Sequence, residues 1–359
     1  MNKIYKITLS PVDWYFFGGE TTYGGSEKAN YYAKSNLFPQ ESAVIGMLRY
    51  EILKKLNLLK ASDKEEEAVI AAIGSSGFNP ANANSKETCP MGLIDAISPV
   101  MIQYKEEVFN RAPLNYGTEI KFGNVDMESP KGNKIYLNGL KKKLPMPASE
   151  MKDARKIWIS CSTGEINKEV TDDNIFTSKS KIGITKQASN RNDDNKEGYF
   201  KGELYTLKKD YKFVFYAQLG IELDKYSLVY LGAERSIFKM DISQEESFDE
   251  LHYIWNKIPI QENQIVFFSE AFVPVEIYQH CSFAWTDSIQ FRCITRPWKS
   301  QHNYASLDIS KERSCRYNIL RRGSVLYYDT EEQKEQLQKL INNPYFLQFG
   351  YNQSNLKNK

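Results

Sequence analysis

Two glycine pairs, Gly18-Gly19 and Gly24-Gly25, lie in the segment DWYFFGGETTYGGSEKANYYAKSNLFPQESAVIGMLRYEIL, between an apolar aromatic run and an amphipathic stretch. Glycines between a strand and a helix can cradle phosphate, because backbone N–H groups approach an anion where no Cβ intervenes. The spacing argues otherwise. The chain has no G-x-x-x-x-G-K-[ST], and GGETTYGG lacks the G-x-G-x-x-G order of a dinucleotide loop. The four glycines read instead as sharp turns.

Acid–base and metal chemistry fare no better. The three histidines, His252, His280 and His302, are not spaced to share one helix face. His280 and Cys281 are neighbours, and neighbours on a strand point to opposite faces. No G-x-S-x-G elbow occurs. Asp172-Asp173 and Asp193-Asp194 fall in polar loops and read as solvated. No catalytic residue, metal site or cofactor is expected. The five cysteines, Cys89, Cys161, Cys281, Cys293 and Cys315, have no framework spacing, which favours reduced thiols and a cytoplasmic setting.

The cations carry more information. Net charge is only +2 over 359 residues, but the charge is segregated. Eight Lys/Arg face two acids between Lys131 and Lys156, and again between Arg292 and Arg322. A basic face on a near-neutral chain suits a polyanion. The excursion KQASNRNDDNKEG is too polar to pack and should project, carrying Lys186, Asn190 and Arg191. Lys181 and Lys201 flank it, with Tyr199 and Phe200 beside them. Cations next to aromatic rings suit single-stranded bases and their phosphates.

These residues need elements to hold them. KIYKITL alternates and reads as a first strand. Val44, Ile45, Leu48, Ile52, Leu53 and Leu56 recur at helical spacing, with Pro39 before them and Glu41 or Ser42 as the start. EEEAVIAAIG reads as a shorter helix, LIDAISPVMIQY and KIWISC as strands, and residues 110–150 as an irregular insertion. SKIGIT, the polar excursion, YFKGELYTL and YKFVFYAQLG read as strand, tip, strand, turn and strand. Later come a helix at SFDELHYIWNKI and strands at QIVFFSEAFVPVEIY, SIQFRCITRPW and GSVLYY. Thr330 and Gln333 stand at capping-box spacing before the helix EEQKEQLQKLI. The interleaving predicts an α+β fold. No apolar run is long enough to span a membrane.

Five segments in order resemble one family. LSPVDWYFFGGE looks like the strand-and-loop opening of the third subunit of the Cmr-type (type III-B) CRISPR effector, of the RAMP superfamily. LFPQESAVIGMLRYEIL is similar to that family's FPPPSTVAGALR element. KIGITKQASNRNDDNKEGYFKGELYTL resembles its R-x-G-I segment, acidic loop and EGxLY strand. YLGAERS and RRGSVLYY resemble its LGGER and AGSVYYF elements. The order holds from about residue 8 to 328. Lys181 replaces the family's arginine, Ala233 its second glycine, and LQFGYNQ holds one glycine where a glycine-rich loop is usual.

The resemblance implies two ferredoxin-like (RRM-like) domains with insertions and a protruding thumb hairpin. The division is 1–235, with the insertion at about 105–155 and the thumb at about 182–200, then 236–359. It implies a non-catalytic RNA-binding subunit that anchors the repeat-derived 5′ tag of the crRNA. Its partners would be the large polymerase/cyclase-like subunit, a neighbouring RAMP backbone subunit and, indirectly, target RNA. The expected RNA contacts are Lys34, Arg49, Lys181, Lys186, Asn190, Arg191, Arg235, Arg321 and Arg322. Gly46 would let the first helix pack closely, the helix start near Ser42 would offer N–H groups to a phosphate, and Gly323 would let backbone approach a ligand. The alternative is a RAMP endoribonuclease that processes precursor crRNA. Such enzymes usually place a histidine in the N-terminal unit, and none precedes His252 here. A protein-only scaffold whose basic clusters face acidic partners is a third reading.

Overall fold

The computed structural model describes residues 2–18, 21–23, 31–60, 65–75, 77–85, 88–116, 121–124, 143–146, 156–185, 198–232, 235–245, 260, 262–293 and 314–356. Strand β1 (Lys3–Pro11) is followed by β2 (Thr21–Tyr23), β3 (Tyr31–Lys34) and helices α1 (Glu41–Lys55) and α2 (Glu66–Ile73). Strands β4 (Ile94–Ile97), β5 (Met101–Tyr104) and β6 (Glu107–Arg111) come next, then the pair β7 (Lys121–Asn124) and β8 (Lys143–Met146). After β9 (Ile157–Ser160), β10 (Ile166–Thr171) and the turn-length α3 (Asp172–Ile175) come the long strands β11 (Phe176–Thr185) and β12 (Gly198–Leu207). Strands β13 (Tyr211–Leu219), β14 (Tyr226–Leu231) and β15 (Ser236–Glu245) follow. The last part holds β16 (Gln264–Val266), α4 (Ile277–His280), β17 (Phe283–Trp285), β18 (Ser288–Phe291), β19 (Tyr317–Leu320) and β20 (Val325–Tyr327). It ends in α5 (Glu331–Ile341) and α6 (Pro344–Gln348).

The architecture is α+β and largely antiparallel. A nine-stranded sheet runs β10-β9-β6-β5-β13-β1-β15-β14, with β4 also beside β13. A smaller sheet runs β11-β12-β3-β2, and only its β12–β3 pairing is parallel. A third sheet runs β16-β20-β17. Strand β15 lies between β1 and β14, so the expected division after residue 235 cuts a hairpin, and the large sheet continues to Glu245.

Period-two burial explains how the large sheet is used. In β1, Tyr5, Ile7 and Leu9 are buried in the main core, which also holds Val44, Ile45, Leu48 and Ile52 of α1. That core continues into an aromatic cluster around Phe78, whose ring lies 4.7 Å from Phe349 and 5.1 Å from Tyr351. On the opposite face, Met101, Val108 and Val214 pack against Val266, Phe268, Val325 and Tyr327 of the C-terminal part. The C-terminal sheet thus covers the β5–β6–β9–β13 half of this face. The β1–β15–β14 half keeps exposed side chains, including Leu228, Tyr230 and Lys239.

Some local expectations are met and some are corrected. Thr330 and Gln333 form a full capping box. The segment expected as one strand over 264–278 keeps only β16 and then turns into α4, with Pro274 ahead of the helix. Residues 186–197 of the excursion, most of the insertion and the expected helix over 247–258 lie outside the described residues. Gly46 is exposed, and an added Cβ would meet nothing within 4 Å, so close packing is not its role. Gly323 (φ +86°) approaches the chain itself: an added Cβ would lie 2.8 Å from the Ala112 carbonyl oxygen. These two glycines predict opposite responses to alanine. Gly46→Ala should raise stability by up to about 1 kcal/mol, and Gly323→Ala should lower it by more than about 1 kcal/mol through strain and clash. Denaturant midpoints measure both.

Candidate functional site

A cavity of about 290 Å³ opens where the two parts of the chain meet. Its lining is drawn from both parts of the chain. The chain leaving β3 supplies Asn36 to Glu41, and the end of β6 supplies Arg111. The start of α3 supplies Asp172, and the β19–β20 turn supplies Arg321 and Arg322. Each is fixed locally. Thr171 caps α3 by accepting from the Asn174 N–H, which holds Asp172 in the first turn. Gly323 donates to the Phe267 carbonyl (2.7 Å) and accepts from the Leu114 N–H (2.8 Å), which pins the arginine turn to both parts.

Arg322 is the centre of the arrangement, with its side chain 3% exposed. Its guanidinium reaches both Glu270 oxygens, at 2.6 to 3.2 Å, and Glu41 Oε1 at 3.3 Å. It also donates to the Val100 carbonyl and lies 4.6 Å from the Phe38 ring centroid. Burial pulls the Arg322 pKa down, but Glu270 and Glu41 outweigh this and the net shift is upward. Glu270 is held low because its pairing with Arg322 overcomes burial. Burial and the neighbouring Glu270 push Glu41 up to about 8. At neutral pH the trio is therefore one ion pair plus a mostly protonated carboxyl.

Two further arginines at the cavity are also paired. Arg111 forks onto Asp172 at 2.7 and 2.8 Å, while Trp158 Nε1 donates to the same carboxylate at 2.9 Å. The Arg111 guanidinium lies 4.2 Å from the Trp158 ring centroid. Arg321, half exposed, pairs with Asp287 at 3.3 Å. Phe38, Ile289, Phe291 and Ile319 supply apolar lining. Matched charges with apolar walls suit a planar, largely uncharged group that hydrogen-bonds at its edges. A nucleobase has that character. A bare phosphate would find the three cavity arginines already paired.

The sequence-derived contacts do not form one cluster. Arg321 and Arg322 line the cavity, but Arg322, expected as an RNA contact, is buried and committed to the internal trio. Arg49 is also buried, 5% exposed on α1, and burial lowers its pKa to about 10. It therefore faces the interior rather than RNA. The Ser42 N–H points to the Tyr351 hydroxyl at 3.3 Å, and Glu41 is buried beside it, so this helix start is not an open anion site. Lys34 and Lys181 are exposed on the small sheet. Lys34 lies opposite Glu203 and Lys181 opposite Gly202, adjacent β12 positions, so the two lysines stand on opposite faces. Arg235 sits at the β14–β15 turn with φ 53°, 5.2 Å from the Tyr230 ring centroid. Lys186, Asn190 and Arg191 lie outside the described residues.

Sequence reasoning missed Arg111, Phe38, Trp158 and Lys156 as site residues. It read Asp172 as solvated, whereas Asp172 is the partner of Arg111 and Trp158. The only local signal for Asp172 was Thr171 followed by two acids, an N-cap pattern. Among the described residues, no group of His, Cys, Asp and Glu is placed to hold a metal ion.

The trio predicts a pH signature. A carboxyl with a raised folded pKa takes up a proton that the unfolded chain releases. Its contribution is full below its ordinary value of 4.5 and is lost as pH rises to about 8. Glu270 acts with the opposite sign, below that window. Stability should therefore fall between about pH 5 and 8, and Glu41→Gln should remove that fall. Equal slopes for the two chains in urea titrations would refute the assignment. Arg322→Leu, which strands Glu270 in the interior, should cost about 3–5 kcal/mol.

One chain of the type III-B Cmr-beta complex bound to cognate target RNA is 14% identical, with a TM-score of 0.46, covering 97% of this chain and 96% of that one. A Cmr-beta chain from the complex with cognate target RNA and AMPPnP is 13% identical, with a TM-score of 0.44 and coverages of 96% and 94%. A chain of the Csm3–Csm4 subcomplex of the type III-A CRISPR-Cas interference complex is 9% identical, with a TM-score of 0.37 and coverages of 90% and 93%. No curated protein matches the chain. Residues 7–356 match the family described as CRISPR-associated protein (Cas_Cmr3), and the chain belongs to that family, as a Cmr-type CRISPR subunit.

Proposed function

We propose that this chain is the non-catalytic RNA-binding subunit that anchors the repeat-derived 5′ tag of the crRNA and docks on the large polymerase/cyclase-like subunit. The observation that carries this reading is the family match over residues 7–356. The cavity supports it with a place for one splayed base of the tag, at the seam between the N-terminal part and the C-terminal sheets. In this reading the fold is a pair of ferredoxin-like units, and β11 and β12 are the arms of the thumb. Lys186, Asn190 and Arg191 in this reading contact the RNA backbone. Lys34 and Lys181 extend the contact along the two faces of the small sheet. Arg321, at the cavity mouth, exchanges part of its bond to Asp287 for RNA.

The test is binding of a guide RNA with its native tag against one with a scrambled tag, with the large subunit present, at two salt concentrations. The native tag should bind more tightly, and the RNA should stay intact without metal. Arg191→Ala should flatten the salt dependence by about 0.7 in log–log slope, the loss of one phosphate contact on a single strand. Arg321→Ala should reduce the preference for the native tag. Equal affinity for both tags would refute tag anchoring. A specific cut, abolished by a point mutation, would favour the endoribonuclease.

A further inference from the structure

The open half of the large-sheet face has a composition that its packing does not require. Among the described residues, strand β14 is the sheet edge and pairs only with β15. Its alternation buries Val229 and Leu231 and leaves Tyr226 67%, Leu228 59% and Tyr230 47% exposed. Ile237 and Lys239 of β15 stand across from Tyr230 and Leu228 on the same face. Lys239 and Lys212 line a shallow groove with Thr8, Ser10, Tyr226 and Leu228. The Lys225 ammonium lies 5.1 Å from the Tyr226 ring centroid, and the Arg235 guanidinium 5.2 Å from that of Tyr230. Lys212, Lys225, Arg235 and Lys239 are set against one groove-lining acid, Asp241.

We propose that this face is a second nucleic-acid surface, a stacking platform for a single strand, distinct from the cavity at the seam. Exposed rings cost solvation and offer flat apolar faces, which any base can cover. The cations at the rings add cation–π attraction and meet the phosphates of a strand stacked there. Tyr226 and Tyr230 are four residues apart on one strand, about 13 Å at 3.3 Å per residue. Bases stacked within a helix are only about 3.4 Å apart. One strand can therefore cover both tyrosines only with its bases splayed, which selects single strands over duplex. A protein partner on this apolar stripe would have to neutralise four cations, so the charge favours a polyanion.

The inference rests on the RNA-binding reading only for the choice of RNA, and the test separates the two. The full chain is titrated with fluorescein-labelled oligouridine, oligothymidine of the same length and an RNA duplex. Oligouridine carries no tag, so loss of its binding in the β14 tyrosine variants reports the platform, whereas native against scrambled tag reports the tag reading. Both single strands should bind more tightly than the duplex. Tyr226→Ala and Tyr230→Ala should each weaken oligouridine binding about tenfold or more, while Tyr→Phe at either position stays within about twofold because the ring remains. Lys225→Gln and Lys239→Gln should each lower the salt slope by about 0.7. Both tyrosines are exposed, and circular dichroism of the alanine variants should match the parent. Oligouridine affinity unchanged in the double alanine variant would overturn the proposal. So would unchanged affinity with altered self-association, which would assign the stripe to protein docking.

Discussion

The ion trio at Arg322 is the constraint on which the junction of the chain depends. Arg322 and Glu41 are 281 residues apart, and Glu270 lies 52 residues before Arg322. Bringing them together fixes the start of α1, the segment after β16 and the β19–β20 turn in one place. Charges this deep are expensive to bury, and the pairing offsets that cost only where the geometry is good. Here the fork onto Glu270, the Val100 carbonyl and the Phe38 ring satisfy the guanidinium from several sides. Glu41 takes the weaker share and answers by holding its proton.

That arrangement also decides what the cavity can recognise. Were its arginines unpaired, the seam would be an anion trap. With Asp172, Asp287 and Glu270 in place, its field is short-ranged and its walls are apolar. A planar ring with donors and acceptors at its edge fits such a site, and a diffuse polyanion does not.

The large sheet explains why functional surfaces arise where they do. One face is filled by α1, α2 and the aromatic cluster around Phe78. The other is covered only where the C-terminal sheet reaches it. A nine-stranded sheet is wider than its three-stranded cover, so β14 and β15 present side chains to solvent. Tyr226, Leu228 and Tyr230 stand there because period two sends them away from α1, not because a loop displays them.

Sequence by itself determined the local elements and the family. The alternation of KIYKITL, the helical spacing from Val44 to Leu53 and the Thr330–Gln333 capping box became β1, α1 and the capped α5 as read. These are signals within a few residues, where backbone geometry and neighbouring side chains decide the outcome. Only tertiary structure decided which charges are buried. Arg49 and Arg322 look no different from Arg321 along the chain, yet two are interior and one is half exposed. Asp172 reads as a loop acid until Arg111, 61 residues before it, is brought within 2.8 Å. Gly46 and Gly323 are both plausible close-packing glycines, but only Gly323 has a backbone carbonyl against it. The difference is one of range. Propensity and periodicity act along the chain, whereas desolvation and ion pairing depend on partners that folding alone brings near.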